Sequence, residues 1–226
     1  MEISVFGLGY VGTVTAAALA AAGHRVRGVD VDRSKLALLR RGQSPVTEPG
    51  LDDLIGRAIR TGALTPTEDA QEAVLASELS LVCVATPSRR NGSLDTSFLE
   101  RVIAEIGSAL RKKREYHVIA IRSTLLPGLL RARLVPLLES STGRPVSEQV
   151  GVCVSPEFLR EGSAIRDFQN PPFTIVGETE RRAGDALLRA YAHLDAPIHR
   201  LTPEAAAMVK YASNAYHALK VTFANE

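Results

Sequence analysis

Short apolar runs alternate along the chain with longer amphipathic stretches. The runs are rich in aliphatic residues, as buried strands are, and they cover residues 3–6, 25–31, 79–85, 117–121, 150–154 and 173–176. The stretches between them place apolar residues at helical spacing, for example Leu99, Val102, Ile103, Ile106 and Leu110. Strands that alternate with helices predict right-handed crossovers. We therefore expect an α/β fold with a doubly wound, mostly parallel sheet covered by helices on both faces.

The last segment carries the signals of a helix start and none of a helix end. Thr202 is a suitable N-cap, Pro203 suits the first helical position, and Glu204 places an acid in the first turn. No glycine or proline follows before Glu226. We therefore predict a domain over residues 1–201, followed by the start of a long central helix over residues 202–226 that is interrupted where the chain stops.

Composition indicates a globular protein with a nearly balanced charge. Of the 226 residues 45% are hydrophobic, and 27 basic against 25 acidic side chains leave a formal charge of +2. This charge excludes a general polyanion binder, so no nucleic-acid partner is expected. No apolar run approaches the roughly 20 residues of a membrane span, and no secretory signal is visible. We expect a cytoplasmic protein that does not bind membranes.

Several polar features are interpreted as structural rather than functional. Cys83 and Cys153 lie within strand-like runs, which predicts buried thiols rather than a disulfide. The basic run at residues 111–114 follows a predicted helix and is interpreted as a solvated helix end. His117 receives no role, and no metal site is predicted.

The strongest motif is a glycine-rich turn, Gly7-Leu8-Gly9-Tyr10-Val11-Gly12, between the first strand and an alanine-rich helix predicted over residues 13–22. Gly7 permits a tight turn, Gly9 lets the backbone approach a pyrophosphate, and Gly12 lets the helix pack closely on the strand. The pyrophosphate would lie at the helix N-terminus, where free N–H groups favour an anion. The order of elements predicts a Rossmann-like dinucleotide site.

Asp30, at the end of the second predicted strand, indicates which dinucleotide binds. Its carboxylate can accept both ribose hydroxyls and would repel a 2′-phosphate, so NAD is favoured over NADP. The nearby Arg33 and Lys35 temper this preference, because either could meet a phosphate.

Polar side chains also follow later strands. Thr86 and Ser123-Thr124 end two neighbouring predicted strands, whose carboxyl ends should face the same crevice. Such hydroxyls could contact a ribose or nicotinamide, although an isolated Thr is often only a turn former. Glu157 and Glu161 follow the strand at residues 150–154 and would share one face of a helical turn. They are candidates to hold a water, or alternatively ion-pair partners of Arg160 and Arg166.

The terminal helix carries a polar stripe. Lys210, Asn214, His217 and Val221 share one face at i, i+4, i+7 and i+11. Apolar neighbours on both sides suggest a helix that lines a site, and a solvated face is the alternative. We also predict that Ala212, Leu219 and Phe223 are covered by a second copy of the chain, because exposed they would form an adhesive patch.

The chain closely resembles the UDP-glucose/GDP-mannose dehydrogenase family, and most of all its GDP-mannose branch. The resemblance runs over the whole chain and is carried by residues 6–12, 28–32, 48–51, 122–124, 156–162, 210–211 and 220–226; the likeness to the GDP-mannose branch rests on 86–92, 194–198 and 220–226. It implies a four-electron oxidation of the C6 alcohol of a nucleotide sugar to a carboxylate, with two NAD⁺ used in succession at one site.

The resemblance also implies roles for individual residues. It implies cofactor contacts at Tyr10, Val11, Asp30, Lys35, Thr86 and Thr124, and substrate contacts at Glu161, Lys210, Asn214, His217 and Asn225. Thr124 and Glu161 would hold the water that hydrolyses a thioester. Lys210 and Asn214 would stabilise the oxyanion.

The family's cysteine nucleophile is expected downstream of this helix, and neither cysteine of this chain is a plausible substitute. Ser155, where the family has Asn, and Leu125-Leu126 before Pro127 are milder departures. Three alternatives therefore stay open. The chain is the NAD-binding portion of a GDP-mannose 6-dehydrogenase that is inactive alone, part of a UDP-glucose or β-hydroxyacid dehydrogenase, or a non-catalytic NAD-binding or interaction module.

Overall fold

A computed structural model describes all residues from Met1 to Glu226 and contains a single eight-stranded sheet. Its strands are β1 (Glu2–Phe6), β2 (Arg25–Val29), β3 (Leu64–Thr67), β4 (Leu79–Val82), β5 (His117–Ile121), β6 (Val150–Val154), β7 (Thr174–Glu178) and β8 (Ile198–Leu201). They lie in the order β3-β2-β1-β4-β5-β6-β7-β8. All neighbouring pairs are parallel except β6 and β7. The predicted mostly parallel, doubly wound sheet is confirmed.

Helices cover both faces of this sheet. They are α1 (Tyr10–Ala21), α2 (Arg33–Arg40), α3 (Leu51–Arg60), α4 (Ala70–Leu75), α5 (Ser97–Leu110), α6 (Val135–Thr142), α7 (Ala164–Gln169), α8 (Arg181–Ala190) and α9 (Pro203–Asn225), with a π-helical turn at Leu130–Leu134. Alternate residues of the central strands enter the cores on opposite faces of the sheet. Val118 belongs to the core that contains the buried residues of α1, and Ile119 belongs to the core that contains those of α5. The chain order reverses between β1 and β4, which opens a crevice at their carboxyl ends.

The two outer strands were not predicted. β3 contains Pro66, and two of the four residues of β8 are exposed. An edge strand buries too few side chains to need an apolar run, and proline is tolerated there. The apolar pattern therefore identifies only the strands in the middle of the sheet.

The cysteines and the terminal helix largely follow the prediction. Cys83 and Cys153 are both buried and unpaired, as expected, although Cys83 lies just after β4 rather than inside it. The Thr202 hydroxyl caps α9 by accepting a hydrogen bond from the Ala205 amide at 3.2 Å. The first turns of α9 bury Ala206 and Ala207 against the sheet, and every residue from 212 onward is exposed.

None of the helices combines the length and apolar character needed to cross a lipid bilayer. The cytoplasmic location expected from composition stays a prediction.

Candidate functional site

The glycine turn has the geometry that its spacing predicts. Gly7 has a positive φ of 87°, which side chains rarely adopt. A Cβ added to Gly12 would overlap the carbonyl oxygen of Gly7, so α1 packs on the turn as closely as a glycine allows. A Cβ added to Gly9 would meet nothing within 4 Å. The turn is therefore tightly packed behind Gly12 and open in front of Gly9.

The N-terminus of α1 faces this open space without a side-chain cap. The helix starts at Tyr10, three residues earlier than predicted, with Gly9 as its N-cap. Its first turn contains no acidic side chain. Free amides and the positive end of the helix dipole therefore stay available for a phosphate, and this arrangement fits the pyrophosphate of a dinucleotide.

Asp30 lies beside the turn, as predicted. Its carboxylate is buried and accepts hydrogen bonds from the Leu8 amide at 2.7 Å and from the Asp32 amide at 2.9 Å. Oδ1 keeps a lone pair for a ribose hydroxyl, and a second hydroxyl could take the place of the 3.4 Å contact between Oδ2 and Lys35. The Lys35 ammonium lies 3.4 Å from Asp30, and Arg33 donates to Glu68 at 2.8 Å. Lys35 and Arg33, the two cations that could have bound the 2′-phosphate of NADP, are thus already paired with carboxylates.

A cleft of about 450 Å³ runs from Asp30 past the glycine turn to the ends of β4 and β5. Its walls include most of the residues predicted to contact the cofactor: Gly7, Gly9, Tyr10, Val11, Asp30, Lys35, Thr86 and Thr124. Gly12 lies behind the turn instead. The Thr86 hydroxyl donates to the Thr124 carbonyl at 3.1 Å, so these two predicted residues are bonded to one another across the strand ends.

Glu48 lies next to Tyr10 of the cleft wall, and no sequence motif assigned it a role. The Tyr10 hydroxyl donates to its buried carboxylate, which also accepts the amides of Gly162 and Ala164, both at 2.8 Å. Burial opposes ionisation of Glu48, but these hydrogen bonds hold its pKa below the usual value. Burial and the bond to Glu48 raise the pKa of Tyr10. Glu48 therefore joins α1 to the loop after β6.

The opposite end of the cleft contains an ion pair between Glu157 and Lys210. The Lys210 ammonium lies 2.9 Å from a Glu157 carboxylate oxygen and 2.6 Å from the Glu157 carbonyl. The two side chains are only 12% and 13% exposed. This pair connects the loop after β6 to α9, and Glu157 lines the cleft beside Thr124.

Comparison with known proteins identifies the family of this chain. The sequence model described as UDP-glucose/GDP-mannose dehydrogenase family, NAD binding domain, matches residues 1–195. The chain belongs to this family. The predicted family and the prediction of NAD as the cofactor are both confirmed.

Relatives within the family differ in their substrates. The chain is 50% identical over its full length to GDP-mannose 6-dehydrogenase of Pseudomonas aeruginosa and 35% identical to UDP-glucose 6-dehydrogenase of Haloferax volcanii, covering 52% and 53% of those proteins. It is similar to the crystal structure of a ternary complex of GDP-mannose dehydrogenase from Pseudomonas aeruginosa, with a TM-score of 0.98, 49% identity, and coverage of 100% of this chain and 52% of that one. The chain thus spans about half the length of these relatives.

The acidic loop after β6 is not the helical turn that the spacing of Glu157 and Glu161 predicts. Residues 155–160 are irregular and 161–163 form a turn, so Glu157 and Glu161 do not share a helical face, and that prediction is wrong. Glu157 pairs with Lys210 rather than with an arginine, and Arg160 pairs with Asp167 at 2.7 Å. Glu161 is exposed and lies outside the cleft walls.

The polar stripe on α9 divides into two parts. Lys210 reaches the cleft through Glu157, whereas Asn214, His217 and Asn225 are exposed on the part of the helix that extends beyond the domain. Their predicted substrate contacts stay predictions, because no other element of the chain lies against this part of α9.

Proposed function

We propose that this chain is the NAD-binding portion of a nucleotide-sugar 6-dehydrogenase that oxidises GDP-mannose to GDP-mannuronate. The observation that carries the proposal is one cleft with two different ends. At one end lie Asp30 and the uncapped start of α1, which suit a dinucleotide. At the other end Glu157 is paired with Lys210, which suits proton and oxyanion chemistry at an alcohol.

The oxidation converts an alcohol to a carboxylate, with water as the source of the second oxygen. When bound beside Asp30 and the glycine turn, NAD⁺ would supply the hydride acceptor for each of the two oxidations. The Lys210 ammonium and the Asn214 amide, one helical turn apart on α9, would stabilise negative charge on the C6 oxygen. In well-studied oxyanion holes one such donor contributes roughly 3–4 kcal/mol.

Three oxygen-bearing side chains are candidates for the proton and water steps. Thr124 and Glu161 remain our proposal for holding the hydrolytic water. Glu157 is the better candidate to accept the alcohol proton, because it lines the cleft and touches Lys210. Glutamate is among the side chains that act as general bases in enzymes.

GDP-mannose is favoured over UDP-glucose as the substrate by sequence similarity. Six GDP-mannose 6-dehydrogenases share 48–50% identity with the chain, against 35% for two UDP-glucose 6-dehydrogenases. Glu161, Asn214, His217 and Asn225 are our proposed substrate contacts besides Lys210.

Calorimetric titration of NAD⁺ and NADP⁺ tests the dinucleotide end of the cleft. We expect wild-type protein to bind NAD⁺ more tightly than NADP⁺. We expect Asp30→Ala to lose about 2 kcal/mol of NAD⁺ binding, roughly 30-fold in Kd, because two hydrogen bonds to a carboxylate disappear. The exposed Asp195→Ala is the matched control and should bind as wild type does. Equal NAD⁺ affinity in wild type and Asp30→Ala would contradict the assignment.

Incubation of the 226-residue chain with NAD⁺ and GDP-mannose tests whether it needs a nucleophile from elsewhere. Burial raises the pKa of Cys83 to about 12 and that of Cys153 to about 12, so neither thiol ionises at neutral pH. We expect no sustained NADH formation, measured as absorbance of the reduced nicotinamide. Steady turnover would show that the chain is complete for catalysis.

A second copy of the chain is the partner that we propose for α9. Leu219 is 67% exposed and Phe223 is 83% exposed, on the part of α9 from residue 212 onward that nothing else in the chain covers. Burying such side chains between two copies removes apolar surface from water. Light scattering should therefore report a dimer, and a monomer at high concentration would count against it.

A further inference from the structure

Arg122 is a buried cation without an acidic partner. It follows β5 directly and is 8% exposed. One guanidinium nitrogen donates to the Tyr191 hydroxyl at 2.6 Å and lies 3.5 Å from the Ser155 hydroxyl. Its Nε is buried and has no hydrogen-bond partner, and no carboxylate pairs with the group. Because arginine does not lose its proton in proteins, a full positive charge remains here.

The residue that carries this charge lines one end of the cleft and also the neighbouring cavity that contains Ser155 and Tyr191. Arg122 lines the cleft beside Thr124 and Glu157, and Asp30 lines its opposite end. A dinucleotide whose adenosine ribose lies at Asp30 crosses the glycine turn and extends toward the ends of the later strands. The nicotinamide would thus reach the end that contains Arg122. This step rests on the proposed function.

The other charged side chains of the cleft wall are balanced in sign: Arg101 and Glu105 are opposite, and Lys35 pairs with Asp30. Glu157 and Lys210 form an ion pair, which contributes no net charge. Cys83, also in the cleft wall, keeps its proton because burial raises its pKa to about 12. Arg122 therefore leaves one net positive charge beside the nicotinamide. Coulomb interactions are stronger here than in water, since the guanidinium is shielded from solvent.

We propose that Arg122 sets the redox preference of the cleft by favouring the reduced over the oxidised cofactor. The oxidised nicotinamide ring carries a positive charge and is repelled by Arg122, whereas the reduced ring is neutral and is not. The ratio of the dissociation constants for NAD⁺ and NADH is the factor by which binding shifts the hydride-transfer equilibrium. Arg122 therefore biases the bound pair toward oxidation of the alcohol.

Dissociation constants for NAD⁺ and NADH, measured by calorimetry on the whole chain, test this role without turnover. Arg122→Met removes the charge and keeps an unbranched side chain. We expect it to lower the ratio Kd(NAD⁺)/Kd(NADH) about fivefold to tenfold. Arg122→Lys keeps the charge and should hold the ratio within about twofold of wild type. Arg160→Met, which removes an exposed arginine outside the cleft wall, is the matched control and should leave the ratio unchanged.

A second variant, which removes a negative instead of a positive charge, is measured in case Arg122→Met does not fold. Glu157→Gln removes the negative partner of Lys210 and should raise the ratio, because a second positive charge is then uncompensated. If wild type binds both nucleotides and the ratio moves with neither substitution, Arg122 does not set the preference, while the proposed function stands. If wild type binds neither nucleotide, the proposed function fails and this inference fails with it.

Discussion

Gly12→Ala should destabilise the protein by about 3 kcal/mol, the upper range for overpacking of a tight interior site. A Cβ at this position would overlap the Gly7 carbonyl oxygen and lie 3.2 Å from the Cys83 Cβ. The Gly7 oxygen belongs to the backbone of the turn, and no side-chain rotation can move it away. Helix α1 would have to shift from β1, and its packing in the core would be lost. Urea unfolding followed by circular dichroism measures the change.

Gly9→Ala is the matched control, since it makes the same chemical change three residues earlier. A Cβ at Gly9 would meet nothing within 4 Å, so unfolding should change by less than about 1 kcal/mol, as for exposed glycine sites. The methyl group would instead occupy the open space before the α1 amides, and NAD⁺ affinity should fall. If both variants unfold as wild type does, Gly12 does not fix the contact between α1 and the turn.

The dinucleotide end of the cleft could be predicted because all its information is local. The residues that form this end include Gly7, Gly12 and Asp30. They belong to one turn and the elements beside it, all within about 30 residues of chain. Each glycine has a backbone reason that no other residue type satisfies. The structure accordingly has Asp30 bonded to the turn, as expected.

The other end of the cleft could not be predicted in the same way, because it depends on contacts between distant segments. Helical spacing suggested that Glu157 and Glu161 act together, but the loop after β6 is irregular, and only Glu157 turns toward Lys210, 53 positions along the chain. Glu48 likewise meets Tyr10 and Gly162 only after folding. Nothing in the local pattern around Glu48 indicates these partners.

The sequence predicts that the basic run at residues 111–114 is a solvated helix end, and for Lys113 this prediction is wrong. Lys113 is buried, and its ammonium donates to the Ser77 carbonyl, to the Val74 carbonyl at 3.0 Å and to His117 Nδ1 at 3.1 Å. These acceptors come from the end of α4 and the start of β5, so the run itself could not reveal them. His117, for which the sequence predicted no role, is thus part of a buried polar cluster.

Both ring nitrogens of His117 have partners in this cluster. Nδ1 lies 3.1 Å from the Lys113 ammonium, which can only donate, and 3.1 Å from the Ser77 carbonyl oxygen, which can only accept. Nε2 lies 2.8 Å from the Ser80 hydroxyl, and Ser80 lies 2.7 Å from the Ser4 hydroxyl. A second proton on His117 would place a buried positive charge beside the Lys113 ammonium ion. Burial, followed by the charge of Lys113, lowers the pKa of His117 to about 3.

Stability should therefore fall as the pH drops below about 6.5, the ordinary pKa of histidine in the unfolded chain. Between the two pKa values the unfolded state binds a proton that the folded state does not. The loss from this one group is about 1.4 kcal/mol per pH unit, or about 2.5 kcal/mol between pH 6 and pH 4. Urea unfolding at a series of pH values measures the slope.

His117→Gln should reduce that slope by the histidine contribution, because glutamine does not titrate. Its stability at pH 7 should also be lower, since the bond to Lys113 is not replaced in the same geometry. The exposed His217→Gln is the matched control and should keep the wild-type slope. His24 and His193, whose pKa values burial also lowers, are unchanged in both variants, so they affect both slopes equally. An identical pH slope in His117→Gln and wild type would mean that His117 is not held neutral by its burial beside Lys113.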